Sequence, residues 1–226
     1  MKIVDELIEG IFQSESKNRF LCKILIEGKE FECYLPSSSK LSPLIKLKGK
    51  KVLLTLNKGT NIRTKYSVFA VQHYRKYILL NLNIANWILE EDIRKNYKLC
   101  NPFENIFKEK TIEGYKADFV LPRQKAIFEA KSIISTKKAA LFPSVYPKRA
   151  IEQLHKIETL LDLDWNVQYC FVALSPYVKN ITMNLKYEDY IEQLKKCLQK
   201  GMEVKGLGCS FYNNEVSVTH NLKVII

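Results

Sequence analysis

The chain has 226 residues, 46% of them hydrophobic, enough for a sizeable core in one large or two small domains. No apolar run reaches about 18 residues, so no transmembrane helix is expected, and the opening MKIVDELIEGIF lacks a signal-peptide layout. The formal net charge is +12, which points toward a polyanion partner.

That charge is uneven. Residues 1–84 hold 15 Lys/Arg against 7 Asp/Glu, whereas the remaining 142 hold 21 against 17. From Cys33 to Leu89 there is no acid at all and there are ten bases, among them Lys40, Arg63 and Lys65. A mixed solvated face would carry both signs, so a stretch of one sign predicts a nucleic-acid partner. Cys22, Cys33, Cys100, Cys170, Cys197 and Cys209 form no C-x-x-C pair. This argues against a zinc site and against a disulfide framework, and a reducing, cytoplasmic setting is expected.

In chain order, the first part is strand-rich. Runs at Phe20–Glu27, Glu30–Leu35, Lys51–Leu56, Tyr66–Val71 and Tyr77–Leu82 read as five strands, with Gly28, Gly49 and Gly59 at turns. Five short strands in under 90 residues suit a Greek-key barrel of the OB type, a fold that binds single strands with basic grooves and aromatics. Phe20, Tyr34, Tyr66, Phe69 and Tyr74 are candidates for stacking, although most are expected in the barrel core or rim. Asn81–Asn86 contains no Gly, Pro or Ser, so the junction is expected to be stiff. Asn86 reads as an N-cap for a helix from Trp87 onward, and Glu91 flanks its apolar face.

A strand near Phe107–Ile112 then leads into Gly114–Ile133, which reads as a hairpin turning at Pro122–Lys125. Asp118 sits on its first strand; Glu129 and Lys131, two residues apart, share one face of its second. Their neighbours Phe119–Leu121 and Ala126–Phe128 are apolar, and carboxylates entering such a core need a reason. Two carboxylates on one face offer hard oxygens to Mg²⁺ or Mn²⁺, with the Ala130 carbonyl as a further donor. A lysine beside them can orient a water or stabilise charge on a phosphate. Asp followed by Glu-x-Lys across a hairpin resembles the PD-(D/E)xK nuclease pattern. Helices are predicted over Ala150–Leu161 and Tyr187–Lys200, with strands at Val167–Leu174, Glu203–Tyr212 and Glu215–Val218. The second half is therefore α/β, and the expected domains are 1–84 and 85–226.

The chain as a whole resembles the sugar fermentation stimulation protein family, SfsA. The likeness rests on Asn18-Arg19-Phe20, Tyr34-Leu-Pro-Ser-Ser-Ser-Lys40-Leu41 and Arg63-Thr-Lys65-Tyr66 in the barrel. It continues with Asn81 and Ala85–Ile93 at the junction, then Asp118-Phe119, Glu129-Ala-Lys131-Ser, Phe142-Pro143 with Arg149, and Glu188-Asp189-Tyr190. The resemblance implies an OB-fold domain followed by a PD-(D/E)xK nuclease-like mixed-sheet domain. It also implies non-specific DNA binding through residues such as Arg19, Lys40, Arg63, Lys65 and Arg149, and a regulatory link to sugar metabolism. The chain departs from the family pattern at Ser144, where the family has an acid, at Ala150, and at Gln153, which replaces a histidine. The lone His155 nearby reads as a surface or packing residue and is not expected to substitute for it.

The reading is a DNA-binding protein acting as a Mg²⁺- or Mn²⁺-dependent nuclease. Asp118 and Glu129 would be the metal ligands, Lys131 the charge-stabilising group and Glu91 a further catalytic carboxylate. The alternative is a DNA-binding regulator with a nuclease fold and no cleavage. RNA is a further partner that OB barrels accept; no membrane partner is expected.

Overall fold

A computed structural model describes residues 6–36, 41, 45–60, 62–96 and 105–226. The chain begins with β1 (Ile8–Glu15), β2 (Leu21–Ile26), β3 (Lys29–Tyr34), β4 (Lys51–Leu56), β5 (Tyr66–His73) and β6 (Lys76–Leu79). β1 pairs with β2 and β4, β2 with β3, and β4 with β5, all antiparallel. A parallel contact between Tyr34 of β3 and Ser67 of β5 closes the ring. Register shifts in β1 and in the β4–β5 pair supply the bulges that let short strands curve into a barrel. Gly10 in β1 is required by packing, since a Cβ there would lie 2.6 Å from Ile24 Cγ2.

The closed barrel has five strands, as expected, but not the expected five. β1 was not anticipated, because Glu9, Gly10 and Gln13 dilute its apolar pattern. The strand read at Tyr77–Leu82 is β6, which pairs with β5 from outside the ring.

Helix α1 (Asn83–Asn96) follows. It starts three residues before the expected N-cap, because Asn81 Oδ1 accepts from the Asn83 amide at 3.1 Å and caps the turn earlier. The expected Phe107–Ile112 strand is two short ones, β7 (Phe107–Lys108) and β8 (Thr111–Ile112), with Glu109 in the left-handed region between them. β9 (Tyr115–Lys116), β10 (Phe119–Leu121), β11 (Ala126–Ile133), β12 (Ala139–Phe142), α2 (Lys148–Asp162), β13 (Asn166–Ala173) and β14 (Asn180–Met183) come next. The chain ends with α3 (Glu188–Gln199), β15 (Glu203–Tyr212), β16 (Glu215–Asn221) and β17 (Lys223–Ile225).

The main sheet has the order β16-β15-β13-β11-β10-β7, with β11, β13 and β15 parallel and the other pairs antiparallel. β12, β14 and β17 make a separate three-stranded parallel sheet; their four residues or fewer leave no period to read in sequence. An OB barrel is thus followed by a mixed-sheet domain. None of the described helices is long and apolar enough to cross a membrane.

One face of the main sheet carries α2 and α3 over Val120, Ile127, Tyr169 and Phe171. The other face packs Phe128, Cys170, Val172 and Phe211 against α1 and against Leu53, Phe69, Ala70 and Leu79 of the barrel. Phe69 meets Phe211 edge-on, with centroids 5.1 Å apart. The Leu79 amide donates to Leu174 O at 2.8 Å across the same boundary. Barrel and sheet therefore share a core. Phe69→Ala should cost about 3–5 kcal/mol and lower one common calorimetric transition; two resolved transitions, with only the first moved, would contradict the shared core.

Candidate metal and nucleic-acid site

The register of the β10–β11 hairpin pairs Phe119 with Phe128, so its continuation sets Asp118 opposite Glu129. The strand period then does the sorting. Phe119, Leu121, Ala126 and Phe128 turn to the α1 side, while Val120, Ile127 and Ile133 turn to the α2 side. Asp118, Glu129 and Lys131 share the parity of the second set. The turn is a 3₁₀ segment, Pro122–Gln124, closed by Lys125 in the left-handed region.

Glu129 is 3% exposed. Its Oε1 accepts from Lys131 Nζ at 2.5 Å and from Gln153 Nε2 at 3.1 Å. Its Oε2 accepts from the Tyr115 hydroxyl at 2.5 Å. Lys131 Nζ also donates to Gln153 Oε1 at 2.8 Å and lies 5.2 Å from the centroid of the Tyr169 ring. The buried charge is thus met by donors from β9, β11 and α2. Burial and the charge of Glu129 push the Tyr115 phenol far up, so it stays protonated and donates.

Asp118 Oδ2 accepts from the Ala130 amide at 2.8 Å, and Oδ1 takes a long contact of 3.5 Å from Asn86 Nδ2. Burial, then the charge of Glu129, push its pKa from 3.8 up to about 6; the Ala130 amide, Lys131 and Asn86 pull the other way without winning. The Glu129 contribution is repulsion between neighbouring carboxylates, which a cation would relieve. The donor set is oxygen throughout. No group of three or more His, Cys, Asp and Glu gathers among the described residues, so a bound ion would keep several waters.

The pair lies in a cleft of about 630 Å³. It is lined by Asn83 and Asn86 of α1, by Leu41 and Leu82, and by the segment from Leu141 to Arg149. Glu91 does not line it. Five residues on from Asn86, it lies roughly 140° further round the helix. Gln153 does face the pair, and His155 is exposed. Arg149 is exposed and lines the cleft.

Arg19 falls in the β1–β2 connection, and Arg63 and Lys65 in the β4–β5 connection; all three are exposed. These are the two loops through which OB barrels bind oligonucleotides. Leu21 pairs with Tyr34 and Tyr34 with Ser67, so both loops lie at one end of the barrel. Arg19 sits 4.7 Å over the Phe20 ring, which stacks against Tyr34. Tyr66 and Phe69 are buried, whereas Tyr74 is exposed elsewhere. Lys40 lies outside the described residues.

Tyr115 and Asn86 were not anticipated as partners of the carboxylates. Their contacts cross 14 and 32 residues, and no local spacing marks them.

The fold defines a two-part class: an N-terminal OB barrel and a mixed-sheet domain that holds an aspartate opposite a Glu-x-Lys strand. Residues 15–80 match the family model described as the SfsA N-terminal OB domain, and residues 82–215 match the sugar fermentation stimulation protein RE domain. The chain belongs to the sugar fermentation stimulation protein family. Proteins named as its homologues include one from Desulfitobacterium hafniense, 23% identical over 92% of this chain and 91% of that one. Another, from Aquifex aeolicus, is 25% identical over 89% and 90%. A third, from Thermosipho melanesiensis, is 24% identical over 98% and 96%. The solved structure of Pyrococcus furiosus SfsA in complex with Ca²⁺ shares the fold, with a TM-score of 0.83, 20% identity and full coverage of both chains.

The shift at Asp118 has a defined sign. Between pH 3.8 and about 6 the native carboxyl holds a proton that the unfolded chain has released, so stability falls as pH rises through that window. The full fall is about 3 kcal/mol at 1.36 kcal/mol per unit. Asp118→Asn should flatten it and leave the protein at least as stable as wild type at pH 7. Denaturant melts at pH 4, 5, 6 and 7 check this; the same decline in both proteins would contradict it.

Proposed function

We propose that the chain binds nucleic acid along the barrel rim and cleft, and hydrolyses phosphodiesters with a divalent metal held by Asp118 and Glu129. The observation that carries this reading is the crowded carboxylate pair, with Asp118 pushed to about 6 beside a buried Glu129 that Lys131 touches. The Ca²⁺ complex of the Pyrococcus furiosus protein supports a hard divalent ion. Mg²⁺ or Mn²⁺ fits the same oxygen donors, with the Ala130 carbonyl or Gln153 Oε1 completing the set. When bound, such an ion supplies Lewis acidity at the phosphate and lowers the pKa of a bound water.

The chain's own residues do the rest. Lys131, braced by Gln153 and Glu129, is set to orient the attacking water and to offset charge as it develops on the phosphate. Tyr115 fixes the Glu129 carboxylate, and the Ala130 amide and Asn86 fix Asp118. Arg149 at the cleft edge, with Arg19, Arg63 and Lys65 on the rim, neutralises successive phosphates without reading sequence. Glu91 has no place in this mechanism.

A second reading, a DNA-binding regulator without cleavage, draws on the Lys131–Glu129 ion pair, which satisfies one carboxylate with no metal ion.

Cleavage of single- and double-stranded DNA and RNA, with Mg²⁺ and with Mn²⁺, separates the two. Asp118→Asn should abolish cleavage, and Lys131→Ala should cost about 10²–10³-fold in rate. Binding should show a log–log salt slope of roughly −4 to −5, if about five bases meet phosphates. No cleavage of any substrate leaves the regulator, and a slope near zero removes the polyanion partner.

A further inference from the structure

The cleft edge formed by residues 141–149 brings exposed apolar side chains together beside the carboxylate pair. Leu141, Val145 and Tyr146 are 54%, 56% and 60% exposed, and all three line the cleft that holds Asp118 and Glu129. Three large apolar side chains open to solvent beside a charged centre have a cost that packing does not return.

The edge is also fixed in position. Phe142 is wedged against Phe171 and Tyr190, with centroids 5.1 and 5.8 Å away. The Asn184 amide donates to Phe142 O at 2.7 Å, and its side chain donates to Pro143 O at 3.0 Å. The Tyr146 hydroxyl donates to Asp189 Oδ2 at 2.8 Å, and its ring meets Tyr187 edge-on at 6.0 Å. A tyrosine held through its hydroxyl and packed on a neighbouring ring, yet 60% exposed, presents a preorganised aromatic surface. From Ala130 to Ile151 the chain carries no acid and five bases, with Lys148 and Arg149 directly after the edge. An apolar platform next to cations suits a base beside its phosphates.

We infer that Leu141, Val145 and Tyr146 form a stacking ledge for unpaired bases, so that the cleft takes single-stranded or frayed nucleic acid in preference to intact duplex. The inference rests on the nucleic-acid reading above and names the substrate class of that same cleft. In a duplex the base faces are already stacked on one another and only the helix ends are free. A single strand can lay a base on Tyr146 while its backbone follows Lys148 and Arg149 toward the carboxylates.

Anisotropy of a labelled single strand and of the matching duplex, with metal chelated to prevent cleavage, tests it. In wild type the single strand should bind more tightly. Tyr146→Ala should lower the ratio of single-strand to duplex affinity about tenfold, the usual scale for one base–aromatic stack. Tyr146→Phe keeps the ring and should hold the ratio within about threefold, and Leu141→Ser should lower it. An unchanged ratio in Tyr146→Ala overturns the ledge while binding at the rim stands. Failure of wild type to bind either probe at low salt overturns the nucleic-acid reading and the ledge with it.

Discussion

The second domain is arranged around one buried charge. Glu129 keeps its carboxylate out of water because Tyr115, Lys131 and Gln153 all donate to it. Those donors come from three separate elements, and each must stay within hydrogen-bond reach. β9 has to fold back over β11, and α2 has to lie along the hairpin with Gln153 turned inward. Leaving a buried carboxylate without a partner costs on the order of 3–5 kcal/mol, so the geometry is tightly constrained. Lys131 is constrained in turn, between Glu129, Gln153 and the face of Tyr169. Asp118 accepts from the Ala130 amide and makes one long contact with Asn86, and burial, then the charge of Glu129, raise its pKa.

The barrel is tied to this centre by packing rather than by a linker. Phe69, Ala70 and Leu79 share a core with α1 and with Phe211 of the main sheet. Lys205 of β15 pairs with Asp92 of α1 at 2.5 Å and fastens the helix to the sheet from the other direction. α1 therefore reports to both parts: its first turn sends Asn83 and Asn86 into the cleft, and its buried face holds the barrel. The shared core fixes the distance between the barrel rim and the carboxylate pair.

Much of the site was legible because the signal was local. Asp118, Glu129 and Lys131 follow from strand period and hairpin register alone, and the structure sets all three on one sheet face. The barrel was legible as a fold class from strand density, although β1 was hidden by Glu9, Gly10 and Gln13. Its pattern makes sense only once Gly10 is seen to lie against Ile24. Tyr115 and Asn86 could not be read, because what makes them partners of the carboxylates is tertiary proximity. Gln153 stood out only as a departure from the family pattern, and its double hydrogen bond explains how an amide fills that place. Glu91 shows the converse: a carboxylate in a matching motif that lies roughly 140° round the helix from Asn86 and does not line the cleft.

If Asp118 and Glu129 hold one divalent cation, its binding must stabilise the folded chain. Thermal melts of wild type and Asp118→Asn at neutral pH, with and without Mn²⁺, test it most directly. A cation at about 100 times its dissociation constant stabilises the folded state by about 2.7 kcal/mol, a rise of roughly 5–10 °C for a chain of this size. That rise is expected in wild type and should be lost in Asp118→Asn. No shift in wild type, or an equal shift in both proteins, would contradict it.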